Sequence, residues 1–277
     1  MFEERAGGMK PAIVVTGASS GIGREIGRVA ARDGNVMVLV GLGQPALDDL
    51  AAELGRSGVE AHALCIDLAD RDAAQKLDQA LAHIGVYCDV LVNSAGSGLF
   101  GAAAETNHEE QLKIADVNIR ALTELTLRFL PDMIARRRGG VLNLGSVTAY
   151  SPGPNMSTYF ASKAYVRSFT AALAREVAGT GVTVTCLSPG VVRTALFERF
   201  AVADTWLFKL APRGNATKTA AAGWRGFRAG KRLVIPRLMD RIVIAGAQLL
   251  PDAVLLRLIT MLLKERPPRT RRRPISP

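Results

Sequence analysis

The stretch that most restricts the fold of this chain is 12–32. A short apolar run of β type, AIVV (12–15), leads into TGASSGIG (16–23) and then into a helical pattern ending near Arg32. Strand, glycine-rich turn and helix in that order leave the first backbone N–H groups of the helix free. Those groups, with the positive end of the helix dipole, are aimed at an anion such as a phosphate. Gly17 permits the tight turn, and Gly21 and Gly23 let a bound group and neighbouring backbone come close. A chain that opens this way is an alternating α/β chain.

The rest of the sequence continues the alternation. Apolar runs at 35–40, 60–66, 89–92, 141–144, 182–187 and 231–236 read as strands, with helical patterns at 46–55, 70–84, 108–130 and 158–178 between them. Strands that are apolar throughout and separated by such helices predict a doubly wound parallel sheet covered on both faces. Sheets of this kind bind ligands at the carboxyl ends of their strands. The glycine turn at 17–23, Asp67, NSAG (93–96), Ser146 and Pro189-Gly190 each follow a strand end, so they converge on one edge. That shared edge is the expected site.

Tyr159 and Lys163 stand four residues apart on a helical stretch, with Ser146 thirteen residues upstream of the tyrosine. An i,i+4 pair puts phenol and ammonium on one helix face. A phenol has a pKa of about 10, and a nearby cation favours the phenolate, which brings the group towards acid–base work at neutral pH. Ser146, from another element, would hold a substrate oxygen beside it. His62, His83 and His108 fit no such pattern and read as surface or cap residues.

The formal charge of +10 is unevenly placed: residues 201–277 carry 16 Lys+Arg against 4 Asp+Glu. The basic character belongs to the C-terminal part, so the high pI is no argument for nucleic-acid binding and none is expected. Cys65, Cys88 and Cys186 are widely spaced in or beside apolar runs, which predicts buried thiols, a reducing compartment such as the cytoplasm, and no metal site. The N-terminal ten residues lack the apolar core of a secretory signal.

From about residue 11 to 235 the chain resembles the short-chain dehydrogenase/reductase family. The residues that carry the resemblance are TGASSGIG (16–23), Asp67, NSAG (93–96), Asn118, Ser146, Tyr159-x-x-x-Lys163 and PGVVRT (189–194). It implies a Rossmann-type fold, an enzyme that transfers hydride between a nicotinamide and a carbonyl or alcohol, and a homo-oligomer, dimer or tetramer. The family's catalytic tetrad would fall on Asn118, Ser146, Tyr159 and Lys163, with Tyr159 the acid–base group and Asn118 the anchor of a proton-relaying water. Cofactor contacts would fall on Gly17, Ser19, Ser20, Gly21, Ile22, Gly23, Leu68, Ala95, Gly96, Tyr159, Lys163, Pro189, Gly190 and Val192. Asp67 would meet the adenine, Asn93 would lie beside the cofactor, and Thr194 would sit near the carboxamide. Two departures stand out. Ser94 replaces the family's usual second Asn, and Gly41-Leu42, after the second strand, offers no acid for a ribose 2′-hydroxyl. The second departure leans the cofactor towards NADP(H) over NAD(H), with Arg24 as a phosphate partner.

Residues 191–230 are expected to form a flap over the substrate, and Phe197, Phe200, Trp206, Phe208, Trp224 and Phe227 cluster there. These aromatics either line a site for a lipophilic substrate, such as an acyl chain or steroid-like ring, or pack the flap onto the domain. Residues 1–10 precede the catalytic domain (11–236), and two apolar helical stretches follow it, at 237–250 and 252–264, parted by Pro251. A single membrane span through them is disfavoured by Gln248, Asp252 and Arg257. The helices either cover the parent domain or a sister subunit, or dock on an anionic membrane surface. The tail 265–277, rich in Pro and Arg, reads as disordered. A redox sensor or an anionic-surface adaptor without turnover is the alternative to an enzyme.

Overall fold

A computed structural model describes residues 8–192, 205–211 and 213–264. Seven strands form one sheet: β1 (Lys10–Thr16), β2 (Val36–Gly41), β3 (Ala61–Cys65), β4 (Val86–Asn93), β5 (Gly140–Leu144), β6 (Thr183–Leu187) and β7 (Leu233–Val234). Their order is β3-β2-β1-β4-β5-β6-β7, and every neighbouring pair is parallel. The chain winds outward from β1 in one direction and from β4 in the other, so the strand order switches between them. A crevice opens at such a switch point.

Alternation along the strands divides the core in two. Ala12 and Val14 of β1 and Leu91 of β4 face one layer, with Leu77, Leu125, Phe129, Met133 and Leu173. Ile13, Val15, Val90 and Val92 face the other, with Ile26, Leu47, Leu50, Trp224 and Phe227. The first layer is built from α3 (Ala73–Ile84), α5 (Leu122–Ala135) and α6 (Ser157–Glu176); the second from α1 (Gly21–Ala30), α2 (Gln44–Arg56) and α8 (Ala216–Arg228). Helix α4 (His108–Ala115) runs into α5 through a π-helical turn at Asp116–Ala121, so the single helix expected at 108–130 is interrupted. Helix α5 continues past Pro131, which is tolerated because the carbonyl left without its amide partner, that of Leu127, belongs to an exposed residue.

One expectation fails here. Cys65, at the end of β3, is exposed and not buried. Of the two readings of the aromatics, Trp224 and Phe227 follow the second: their ring centres lie 5.2 Å apart inside the core, packed onto the domain. Phe197 and Phe200 lie outside the described residues. Beyond β7 the two expected helices are present as α9 (Leu238–Leu249) and α10 (Asp252–Leu262), and a short helix α7 (Trp206–Leu210) precedes α8. Among the described residues no helix is long and apolar enough to cross a membrane.

Candidate active site

The cavity at the switch point measures about 470 Å³ and lies at the carboxyl ends of the strands. Its floor is the turn between β1 and α1. Gly17 has φ +67°, and a Cβ there would lie 2.8 Å from the backbone of Ser94 and Ala95; one on Gly23 would lie 2.4 Å from the Gly17 carbonyl oxygen. No side chain fits at either place, so the turn stays closed and its N–H groups stay open to the cavity. Thr16 locks the turn to β4: its hydroxyl donates to the Val92 carbonyl and accepts from the N–H groups of Ser94 and Ala95.

Ser146 follows β5 and caps a 3₁₀ turn, accepting from the Thr148 N–H at 3.1 Å. Its neighbour Val147 donates to the Pro189 carbonyl at 3.0 Å, which ties the β5 loop to the β6 loop. Tyr159 sits in the first turn of α6, is only 4% exposed, and is hydrogen-bonded to Ser146. Burial pushes its pKa up to about 12, and the Ser146 bond offsets only part of that. Lys163, one turn on, is 5% exposed and donates to the Leu144 carbonyl at 2.9 Å. Burial lowers its pKa to about 8, against a smaller opposing effect of Cys186.

The expected lowering of the phenol's pKa is therefore not seen: burial moves it the other way. The ammonium is turned to Leu144 and lies 5.8 Å from the centre of the tyrosine ring, and desolvation dominates both groups.

Apolar side chains surround the phenol. Met156, Tyr159, Phe160 and Leu263 form a buried cluster with Phe100, Val191, Leu207 and Ile259 packed against it. The end of α10 thus reaches the reactive side of the site. Further back, the Asp240 carboxylate of α9 accepts from the Gly190 N–H at 3.1 Å and pairs with Arg237 at 2.6 Å.

The comparisons decide what this arrangement belongs to. The family model described as short chain dehydrogenase matches residues 11–203. The chain belongs to the short-chain dehydrogenase family. It is 37% identical over 186 residues to a short chain dehydrogenase of Pseudocercospora fijiensis, a match covering 66% of this chain and 60% of that protein's length. Among solved structures it is similar to a short-chain dehydrogenase from Sphingobium yanoikuyae in complex with NADPH (28% identity, TM-score 0.76, covering 90% of this chain and 95% of the other). It is also similar to a 3-ketoacyl-(acyl-carrier-protein) reductase from Brucella melitensis complexed with NADH (26%, TM-score 0.70, 82% and 95%).

Not every residue expected from the short-chain dehydrogenase resemblance faces the cavity. Gly17, Ser19, Ser20, Gly21, Ile22, Gly23, Asp67, Leu68, Ala95, Gly96, Ser146, Tyr159, Lys163, Pro189, Gly190 and Val192 do line it. Asn93 does not. Its side chain donates to Thr126 and Asn143 in a buried network between β4, β5, α5 and α6, because the strand pleat turns it to that layer. Asn118 also lies behind the wall, where its amide donates to the Ser97 carbonyl and the Ser162 hydroxyl and its oxygen accepts from the Ser97 N–H. It clamps the β4 loop to α6, so the expected water anchor has both its N–H donors engaged by protein. Arg24 donates to the Ala46 carbonyl and does not line the cavity. Thr194 lies outside the described residues.

Sequence reasoning missed Lys113 and Val117, which line the cavity from α4 and the π turn. Lys113 pairs with Asp67 at 2.9 Å. Although burial opposes it, the Ala69 N–H and Lys113 together hold the Asp67 carboxyl below the ordinary range. The only sequence signal was a lysine five residues before Asn118 on an otherwise acidic helix start.

Proposed function

We propose that the protein interconverts a carbonyl and a secondary alcohol on a lipophilic substrate, with Tyr159 as the proton donor and acceptor. One observation supports this reading above the others: the Ser146–Tyr159–Lys163 group and the glycine cradle at 17–23 open on the same cavity. A turn that only a Cβ-free backbone can form, at a free helix N-terminus, fits the pyrophosphate of a nicotinamide dinucleotide. Ser19, Ser20, Gly21, Ile22 and Gly23 would hold the phosphates, Asp67 and Leu68 the adenosine end, and Ala95, Gly96, Pro189, Gly190 and Val192 the nicotinamide end. Bound there, the dinucleotide supplies or takes up hydride at the substrate carbon.

The chain's own groups manage the oxygen. Ser146 hydrogen-bonds it, and Tyr159 gives it a proton during reduction. A phenol with its pKa raised to about 12 is fully protonated at neutral pH, the form reduction needs. Oxidation needs the phenolate, so it gains with rising pH. Lys163 carries the charge that favours the phenolate once the site polarises, and Asn118 holds the wall against which α6 sits.

The lipophilic substrate is argued from the cluster of Phe100, Met156, Phe160, Leu207, Ile259 and Leu263 around Tyr159. NADP(H) is favoured because Gly41, Leu42 and Gly43 line the cavity at the end of β2 without a carboxylate to repel a 2′-phosphate. The free thiols fit a reducing, cytoplasmic setting. A panel of ketones and alcohols with both cofactors, followed by nicotinamide absorbance, tests the reading. Turnover on apolar ketones is the expected result; cofactor binding with no turnover on any member would favour the sensor.

A further inference from the structure

Helices α9 and α10 each have two unlike faces. On α9, Asp240 and Ile244 are buried against the domain; Leu255 of α10 and Leu263, which caps it, are too. The opposite faces are also apolar and are open. Leu238, Ile242 and Leu249 form one line on α9, and Val254, Leu258 and Met261 form one line on α10, with Leu249 85% exposed. Of the fifteen exposed large hydrophobic side chains among the described residues, ten lie between 238 and 261. Exposed apolar side chains scattered singly are ordinary, but a concentration like this marks a surface that meets something apolar.

Charge selects what that is. Residues 237–277 contain nine Lys and Arg against three Asp and Glu. Arg257 and Lys264 are exposed beside the α10 line, and five arginines follow within 266–273. A second copy would bring one net-positive segment against another, with Arg241, Arg257 and Lys264 exposed on it against Asp252, which like charges oppose. An anionic lipid surface meets both features, since it takes apolar side chains at the headgroup boundary and attracts the basic ones. Beside α10, α7 adds Trp206, 38% exposed with Lys209 over its ring at 5.1 Å, an aromatic and a cation of the kind that settles at a membrane interface. Neither helix is long enough to span.

We infer that the outer faces of α9 and α10 dock the protein on the surface of an anionic phospholipid bilayer, lying in the headgroup plane. The test is flotation of the full chain with phosphatidylcholine vesicles, with and without phosphatidylglycerol, and it reads no turnover, so it stands or falls apart from the catalytic reading. The chain should float with the anionic vesicles at low salt, less with the neutral ones, and be released as salt is raised. The pair Leu249→Glu and Met261→Glu should lower partitioning at least tenfold with an unchanged circular dichroism spectrum. Should that pair fail to fold, Arg257→Glu with Lys264→Glu keeps the apolar lines and should lower partitioning by a similar factor. Absence of the chain from anionic vesicles at low salt overturns the inference. So does a folded apolar-line variant that floats as well as the parent, or one whose only change is from dimer to monomer by light scattering.

Discussion

Replacing Lys163 by Met should change the pH dependence of stability in a defined window. The folded-state pKa of Lys163 is lowered by burial from its ordinary 10.5 to about 8. Between those values the unfolded chain binds the proton and the folded chain does not, so stability rises with pH there. Below pH 8 the buried ammonium costs about 3 kcal/mol, which disappears as the pH passes 10.5. From pH 7 to pH 9.5 the parent should therefore gain about 2 kcal/mol relative to Lys163→Met. The variant also loses the donor to the Leu144 carbonyl, but that cost is the same at both pH values, because a neutral amine still donates. Tyr159 does not interfere, since its raised pKa removes stability only above pH 10. Urea denaturation of both proteins at the two pH values gives the difference directly. A parent-minus-variant stability that stays flat across the window would mean that Lys163 keeps its ordinary pKa, and the account of a desolvated ammonium would be wrong. Activity should be lost in the variant throughout.

Three further perturbations read other parts of the site. Tyr159→Phe should lower kcat/KM by about 10²–10⁴-fold while cofactor titration is unchanged, and near-parental turnover would remove the tyrosine from the chemistry. Gly41→Asp has room, since a Cβ there meets Ser19 Oγ at an ordinary 3.5 Å; it should weaken NADPH relative to NADH by at least tenfold in fluorescence titration, and an unchanged ratio would place the 2′-position elsewhere. Asp240→Ala leaves Arg237 and the Gly190 N–H without a shared acceptor; it should destabilise by about 3 kcal/mol and raise the cofactor KM more than it lowers kcat.

How much of this was legible depended on whether a residue's task was local. The strands at 35–40 and 182–187 could be read because both faces of a parallel sheet are buried, which leaves an unbroken apolar run. The turn at 16–23 could be read because only glycine tolerates the contacts made at 17 and 23. Asn93 and Asn118 could be assigned to the elements around the site, but not the direction of their side chains, which is set by the pleat of β4 and by the π turn. Neither leaves a trace in spacing. The role of Trp224 and Phe227 stayed open for a related reason: aromatic composition carries no direction, and only the packing of α8 against the sheet shows that they face inward. The pKa of Tyr159 was misjudged because a cation four residues away says nothing of how dry the pair is.

The C-terminal helices join these threads, because their inner faces belong to the catalytic unit. Asp240 of α9 holds the Gly190 N–H, and the Pro189 carbonyl next to it accepts from Val147, the residue after Ser146. A Cβ on Gly190 would fall 2.4 Å from both Arg237 Nη2 and Asp240 Oδ1, so the ion pair and the cofactor loop are fitted to each other. At the other end of the extension, Ile259 and Leu263 pack into the cluster around Tyr159. Cutting the chain after β7 would remove the support of the β6 loop together with one wall around the phenol. Loss of vesicle binding in such a truncation would then be inseparable from damage to the site. Substitutions confined to the outer lines avoid this, because Leu249 and Met261 lie on the faces turned away from Asp240 and Leu263. A variant that releases the membrane while keeping kcat would show that one pair of helices serves two separable purposes, with the division running along the helix axes.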